Sequence, residues 1–72
     1  MDPLRERLRA KIAEVLDMCD FEETPTVCRM AKTETGRAKV IDLVEGYVIG
    51  GGVDIADGIA RIEQEYNINL TD

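Results

Sequence analysis

The stretch that decides the fold is RAKVIDLVEGYVIGGG, residues 37–52. Its apolar side chains cover an arc of about 160° when successive residues are placed 100° apart, as in an α-helix. Lys39, Asp42, Glu45 and Gly46 occupy the rest of the circumference. An arc this wide requires neighbours on two sides, so we expect a central helix here. The arc consists of Val40, Ile41, Leu43, Val44, Tyr47 and Val48.

A strand is the alternative for this stretch, because it is rich in β-branched residues and contains the run Tyr47-Val48-Ile49. Asp42 and Glu45 fit the helical period and break strict alternation, which favours the helix. The run of glycines 50–52 then ends the helix, because glycine adopts the left-handed conformation that a helix C-terminus often needs.

The start of the chain predicts another helix. Asp2 can cap it, and Pro3 suits a first helical position, where its missing N–H has no helical partner anyway. One apolar stripe follows at helical spacing. It contains Leu4, Leu8, Ile12, Val15, Leu16 and Cys19.

Thr24 and Pro25 form a second start signal of the same kind, with Thr24 as the cap of a short helix. Phe21, in the preceding loop, is expected to close one end of the core. The inward-facing residues of the short helix are expected to be Val27, Cys28, Met30 and Ala31.

The last predicted helix starts at its cap, Asp54, and has a narrow apolar stripe. Glu63 and Glu65 lie outside this stripe and are expected in solvent. Gly58, like Gly46, interrupts a predicted helix at a cost of about 1 kcal/mol relative to alanine. We interpret both as tolerant surface positions, the alternative being close approach by another chain. After this helix, Ile68 and Leu70 are expected to pack against the core. The stripe itself contains Ile55, Ile59, Ile62 and Tyr66.

Together these segments predict one all-α domain over residues 1–72. It is a small bundle of three to four helices. A chain of this length has a marginal core, so we expect a homodimer. The helices are predicted over 3–19, 25–32, 37–49 and 54–66.

The residue types in the sequence limit the compartment and the cofactors that we expect for this protein. No window of about 18 apolar residues predicts a membrane-spanning helix, and the charged N-terminus does not resemble a secretory signal. We expect a cytoplasmic protein in which Cys19 and Cys28 are reduced, buried thiols. Two cysteines without histidine do not complete a zinc site, so neither a metal nor another cofactor is expected.

Charge is divided unevenly along the chain. The formal net charge is −6. All of it belongs to residues 40–72, where Arg61 is the one basic residue. A field of one sign steers a basic partner and repels nucleic acid. The basic residues at 5–11 border both sides of the first apolar stripe, which is typical of side chains rimming a buried face.

Catalysis is not expected, because the chain has neither histidine nor serine and no cofactor-binding loop. The leading hypothesis is a non-enzymatic protein–protein interaction module, such as a small acidic inhibitor of the kind phages encode or a nucleic-acid mimic. One alternative is a DNA-binding regulator that uses segments 5–11 and 29–39. Another is a structural subunit of a larger assembly. The predicted contact residues are Gly46, Ile49, Asp54, Asp57, Arg61 and Glu65.

Overall fold

A computed structural model describes residues 2–18 and 22–67. They form four helices and, within these two ranges, no strand. The predicted all-α bundle is confirmed, and the strand alternative for the third segment is wrong. The helices are α1 (Pro3–Asp17), α2 (Pro25–Met30), α3 (Glu34–Gly51) and α4 (Ile55–Asn67).

The third helix is central, as its wide apolar arc predicts. α3 packs against α1, α2 and α4, and α2 also packs against α4. Every helix contributes to the core. Its buried members are Ile12, Leu16, Val27, Val40, Val44, Ile59 and Ile62.

The helix ends follow local rules that the sequence displays. Asp2 caps α1, since its Oδ1 accepts a hydrogen bond from Leu4 N at 3.0 Å. Thr33 caps α3 by accepting from Gly36 N at 3.0 Å, so α3 starts three residues before the predicted Arg37. Gly52, with φ 68°, is the left-handed cap of α3. The glycine run therefore ends this helix at its third member rather than its first.

Four expectations about burial are wrong. Leu4 is 73% exposed, because the first turn of α1 extends beyond the core that receives Ile12 and Leu16. Glu45, Gly58 and Glu63 are buried instead of lying in solvent. For each of these three, the reason is a contact with a neighbouring helix. The expectations for Cys19, Phe21, Ile68 and Leu70 fall on positions outside the described residues.

Cys28 is buried in α2, as predicted, but it is disulfide-bonded. The expectation of a reduced thiol is therefore wrong for this residue. The sequence contains one other cysteine, Cys19. In the described part of the chain, no helix combines the length and hydropathy needed to cross a membrane.

Candidate interaction surface

Four charged side chains join α1 to α3. Arg5 Nε donates to Glu45 Oε1 at 3.1 Å, and Arg5 Nη2 donates to the same oxygen. Arg9 Nη1 donates to Glu45 Oε2 at 2.8 Å and to Asp42 Oδ1 at 2.7 Å. Both oxygens of the buried Glu45 carboxylate are thus satisfied by guanidinium groups, which is how a carboxylate is accommodated away from water.

This network lowers the pKa of Glu45 from its ordinary value of 4.5. The hydrogen bond from Arg5 is the largest cause, and that from Arg9 is the next. A carboxyl group with a lowered pKa in the folded state stabilises the fold above its unfolded pKa. That contribution disappears as the pH falls through the folded pKa.

We therefore expect Glu45→Gln to unfold at a lower urea concentration than the parent chain at pH 7. At an acidic pH below the lowered pKa of folded Glu45, the two chains should approach each other in stability, because the parent has then lost its own carboxylate charge. Urea titrations followed by circular dichroism at both pH values measure this difference. The exposed Glu6→Gln is the matched control, and an equal pH response of both variants would contradict the role assigned to Glu45.

An open groove lies beside this network, between the N-terminal half of α1 and the C-terminal half of α3. Its volume is about 560 Å³. Two side chains in it are strongly exposed apolar groups, Leu4 at 73% and Ile49 at 56%. The groove, called the α1–α3 groove below, is lined by Asp2, Leu4, Arg5, Leu8, Glu45, Gly46, Ile49 and Gly50.

Two glycines lie on the α3 side of the groove, together with Glu45 and Ile49. Gly46 and Gly50 are one helical turn apart, and a Cβ atom added at either would meet nothing within 4 Å. Neither glycine is therefore needed for packing against the described part of the chain, although each weakens the helix by about 1 kcal/mol relative to alanine. Their effect is to leave α3 backbone accessible from outside.

On another side of α3, Tyr47 contacts α4. Its hydroxyl donates a hydrogen bond to Glu65 Oε1, which raises the pKa of Tyr47 above its ordinary value. Partial burial and the negative charge of Glu65 raise this pKa further. The Arg61 guanidinium lies 5.9 Å from the centroid of the Tyr47 ring, within cation–π range. Arg61 and Glu65 therefore hold α4 against α3.

The six predicted contact residues occupy two separate places. Gly46 and Ile49 line the groove. The other four belong to the α4 side and are all exposed. Asp57, Arg61 and Glu65 recur every four residues and thus share one face of α4, with Asp54 just before the helix. On α3, Glu45 contacts α1 and Tyr47 contacts α4, so the two places lie on different sides of this helix.

The first turn of α2 is hydrogen-bonded to a carboxylate of α4, a helix that is distant in sequence but adjacent in the fold. Glu63 accepts from Thr26 N through Oε1 at 3.0 Å and from Val27 N through Oε2 at 2.8 Å. Thr24, the predicted cap, makes no side-chain capping hydrogen bond to this helix. Glu63 takes that role, which explains why it is buried at 7% exposure on the face predicted to be polar.

Gly58 marks the closest approach of α4 to α3. A Cβ atom there would lie 3.2 Å from Val44 Cγ1 and 3.7 Å from Tyr47 Cβ. The interpretation of Gly58 as a tolerant surface position is therefore wrong. The close approach that it permits occurs within the chain rather than with another one.

Two more basic side chains are engaged with their own chain. Arg37 Nη2 contacts Asp17 Oδ1 at 2.9 Å and donates to the carbonyl oxygen of Ala13 at 3.0 Å. Lys39 Nζ lies 5.5 Å from the centroid of the Tyr66 ring. Signals for the α1–α3 pairs existed in the sequence, namely basic residues four apart in one helix and acidic residues three apart in another. Their pairing required knowing that the helices are neighbours.

Among residues 2–18 and 22–67, no three cysteine, aspartate or glutamate side chains gather as a metal site would require. Comparison of the chain with models of known families, with curated proteins and with solved structures finds no match.

Proposed function

We propose that this chain is a non-enzymatic module that binds a basic protein partner through the exposed α4 face. The face is defined by Asp54, Asp57, Arg61 and Glu65. Two of its carboxylates, those of Asp54 and Asp57, are exposed and belong to none of the ion pairs among residues 2–18 and 22–67. The partner approaches by electrostatic steering, which raises the rate of association more than it strengthens the final complex.

The observation that carries the proposal is the internal neutralisation of basic side chains. Arg5, Arg9 and Arg37 are paired with Glu45, Asp42 and Asp17. These three arginines and three carboxylates cancel one another, so the formal net charge stays at −6. The field left for a partner is therefore negative, which favours a basic surface and opposes a phosphate backbone.

The same pairs count against DNA binding through segments 5–11 and 29–39. In each of these segments, at least one arginine forms an ion pair with a carboxylate of this chain. A face that contacts phosphates needs cations that are grouped and not engaged in such pairs. The disulfide at Cys28 argues against a reducing cytoplasm, where such bonds are rare.

A capture experiment tests the proposal. The immobilised chain is incubated with an extract of its source cells, and retained material is eluted with increasing NaCl. We expect a discrete basic protein that elutes at lower salt from the double variant Asp54→Asn, Asp57→Asn. At low salt, this protein should associate with the double variant about threefold to tenfold more slowly than with the parent chain. Asparagine preserves the shape of both side chains and also suits a helix start.

The matched control is the double variant Glu6→Gln, Glu14→Gln, which removes two exposed charges from α1. It should retain the partner like the parent chain. Equal weakening by both double variants would place the contact elsewhere and refute the α4 face. Nucleic acid in the eluate, together with salt-sensitive retardation of duplex DNA, would replace the proposal with DNA binding.

A further inference from the structure

The α1–α3 groove presents apolar surface that the described chain does not cover. Three large apolar side chains are strongly exposed in the described ranges, and two of them, Leu4 and Ile49, lie in this groove. The third, Met18, lies at the other end of α1. Isolated exposed apolar residues are ordinary, but a groove that collects them is typical of a contact surface.

Charge in the groove is nearly balanced, and this selects the occupant. Arg5 and Glu45 are paired there, and the Asp2 carboxylate holds the first turn of α1. A strongly basic segment would find little uncompensated negative charge. A two-fold symmetric interface places one patch against an identical patch, so like charges face each other unless the patch is neutral. On a chain of net charge −6, the groove comes close to this condition, because its charged lining residues are the paired Arg5 and Glu45 and the capping Asp2.

The area that such a pairing needs is modest for this chain. A stable pair buries about 800 Å² per partner. This is about one sixth of the 5053 Å² surface of the molecule. Glycine has no side chain. A neighbouring helix can therefore approach α3 more closely at Gly46 and Gly50 than it could if any other residue type stood there. A small domain also buries a smaller fraction of its surface than a large one, so more apolar surface remains for a second chain to cover.

We infer that two copies of this chain pair through their α1–α3 grooves, with Leu4 and Ile49 of each copy seated against the glycines of the other. The α4 face remains outward in this arrangement, so a dimer presents two copies of the surface proposed for the basic partner. The inference does not depend on that proposal.

Sedimentation equilibrium over a wide concentration range tests the pairing. We expect a monomer–dimer equilibrium whose dissociation constant increases on the order of 100-fold in Ile49→Lys, because the lysine introduces an unpaired charge twice per dimer. Met18→Lys is the matched control, since it replaces another exposed apolar residue near a helix C-terminus, and it should dimerise like the parent. Circular dichroism checks that both variants are folded.

Gly46→Ala separates association from folding. The added methyl meets no atom of residues 2–18 and 22–67 within 4 Å, so the monomer should unfold at a higher urea concentration. The dimer should nevertheless weaken, because the methyl fills the space of the neighbouring helix. A monomer at every concentration, assembly beyond a dimer, or dimerisation unchanged in Ile49→Lys would each overturn the inference. None of these results bears on capture through the α4 face.

Discussion

Glu63→Ala is expected to lower the free energy of unfolding by about 3 kcal/mol, the largest loss that we predict for a polar side chain here. α2 has six residues and is too short to be stable without tertiary contacts. It begins with Pro25, which has no N–H, so Thr26 and Val27 carry the first donors that need acceptors. Glu63 supplies both acceptors in a buried position.

The Glu63 prediction is checked by urea unfolding at neutral pH. Glu63→Gln retains one acceptor oxygen and should lose about half as much stability as the alanine variant. Gln64→Ala is the control, because Gln64 is exposed on the same helix, and its effect should stay within about 0.5 kcal/mol. A Glu63→Ala chain as stable as that control would show that water satisfies the two N–H groups equally well.

Gly36→Ala is expected to destabilise the fold by about 2 kcal/mol, although alanine is the better helix former. A Cβ atom at Gly36 would lie 2.1 Å from the carbonyl oxygen of Met30 and 2.8 Å from Thr33 Oγ1. The first of these atoms is backbone at the end of α2, so the clash is relieved only by moving α2 away from α3. That movement also strains the Thr33 cap, which receives the Gly36 N–H.

The comparison that isolates this clash is Gly46→Ala in the same helix. It should raise the free energy of unfolding by about 1 kcal/mol when both variants are measured in dilute, monomeric solution. Opposite signs for two identical substitutions in α3 follow from space alone, because helix propensity contributes equally to both. Stabilisation by Gly36→Ala would refute the close contact between the end of α2 and the start of α3.

Much of the fold could be predicted because the relevant signals are local. The α3 arc predicted a central helix, and the described structure confirms it. Asp2 and the glycine run predicted helix ends within a few residues of where they occur. The predicted start of α3 at Arg37 is three residues late, because Thr33 caps the helix and its first residue is Glu34.

The candidate surfaces were less predictable. Ile49 and Gly46 were singled out because they do not fit the apolar stripe of α3, and both line the groove. Leu4 was missed for the opposite reason, since it fits the stripe of α1 and yet lies 73% exposed. Periodicity identifies the side of a helix that faces the core, but it does not indicate how far along the helix the core extends.

By itself, the amino-acid sequence determined the four helices, their approximate ends and the excess negative charge, because each depends on residues within a few turns of one another. Only the tertiary structure decided which charged groups are buried and which groups they bind. Glu45 is paired with a residue 40 positions away, and Glu63 accepts from backbone 36 and 37 positions away. A carboxylate is buried only where donors from another helix compensate its lost hydration, and that arrangement exists only once the helices have packed.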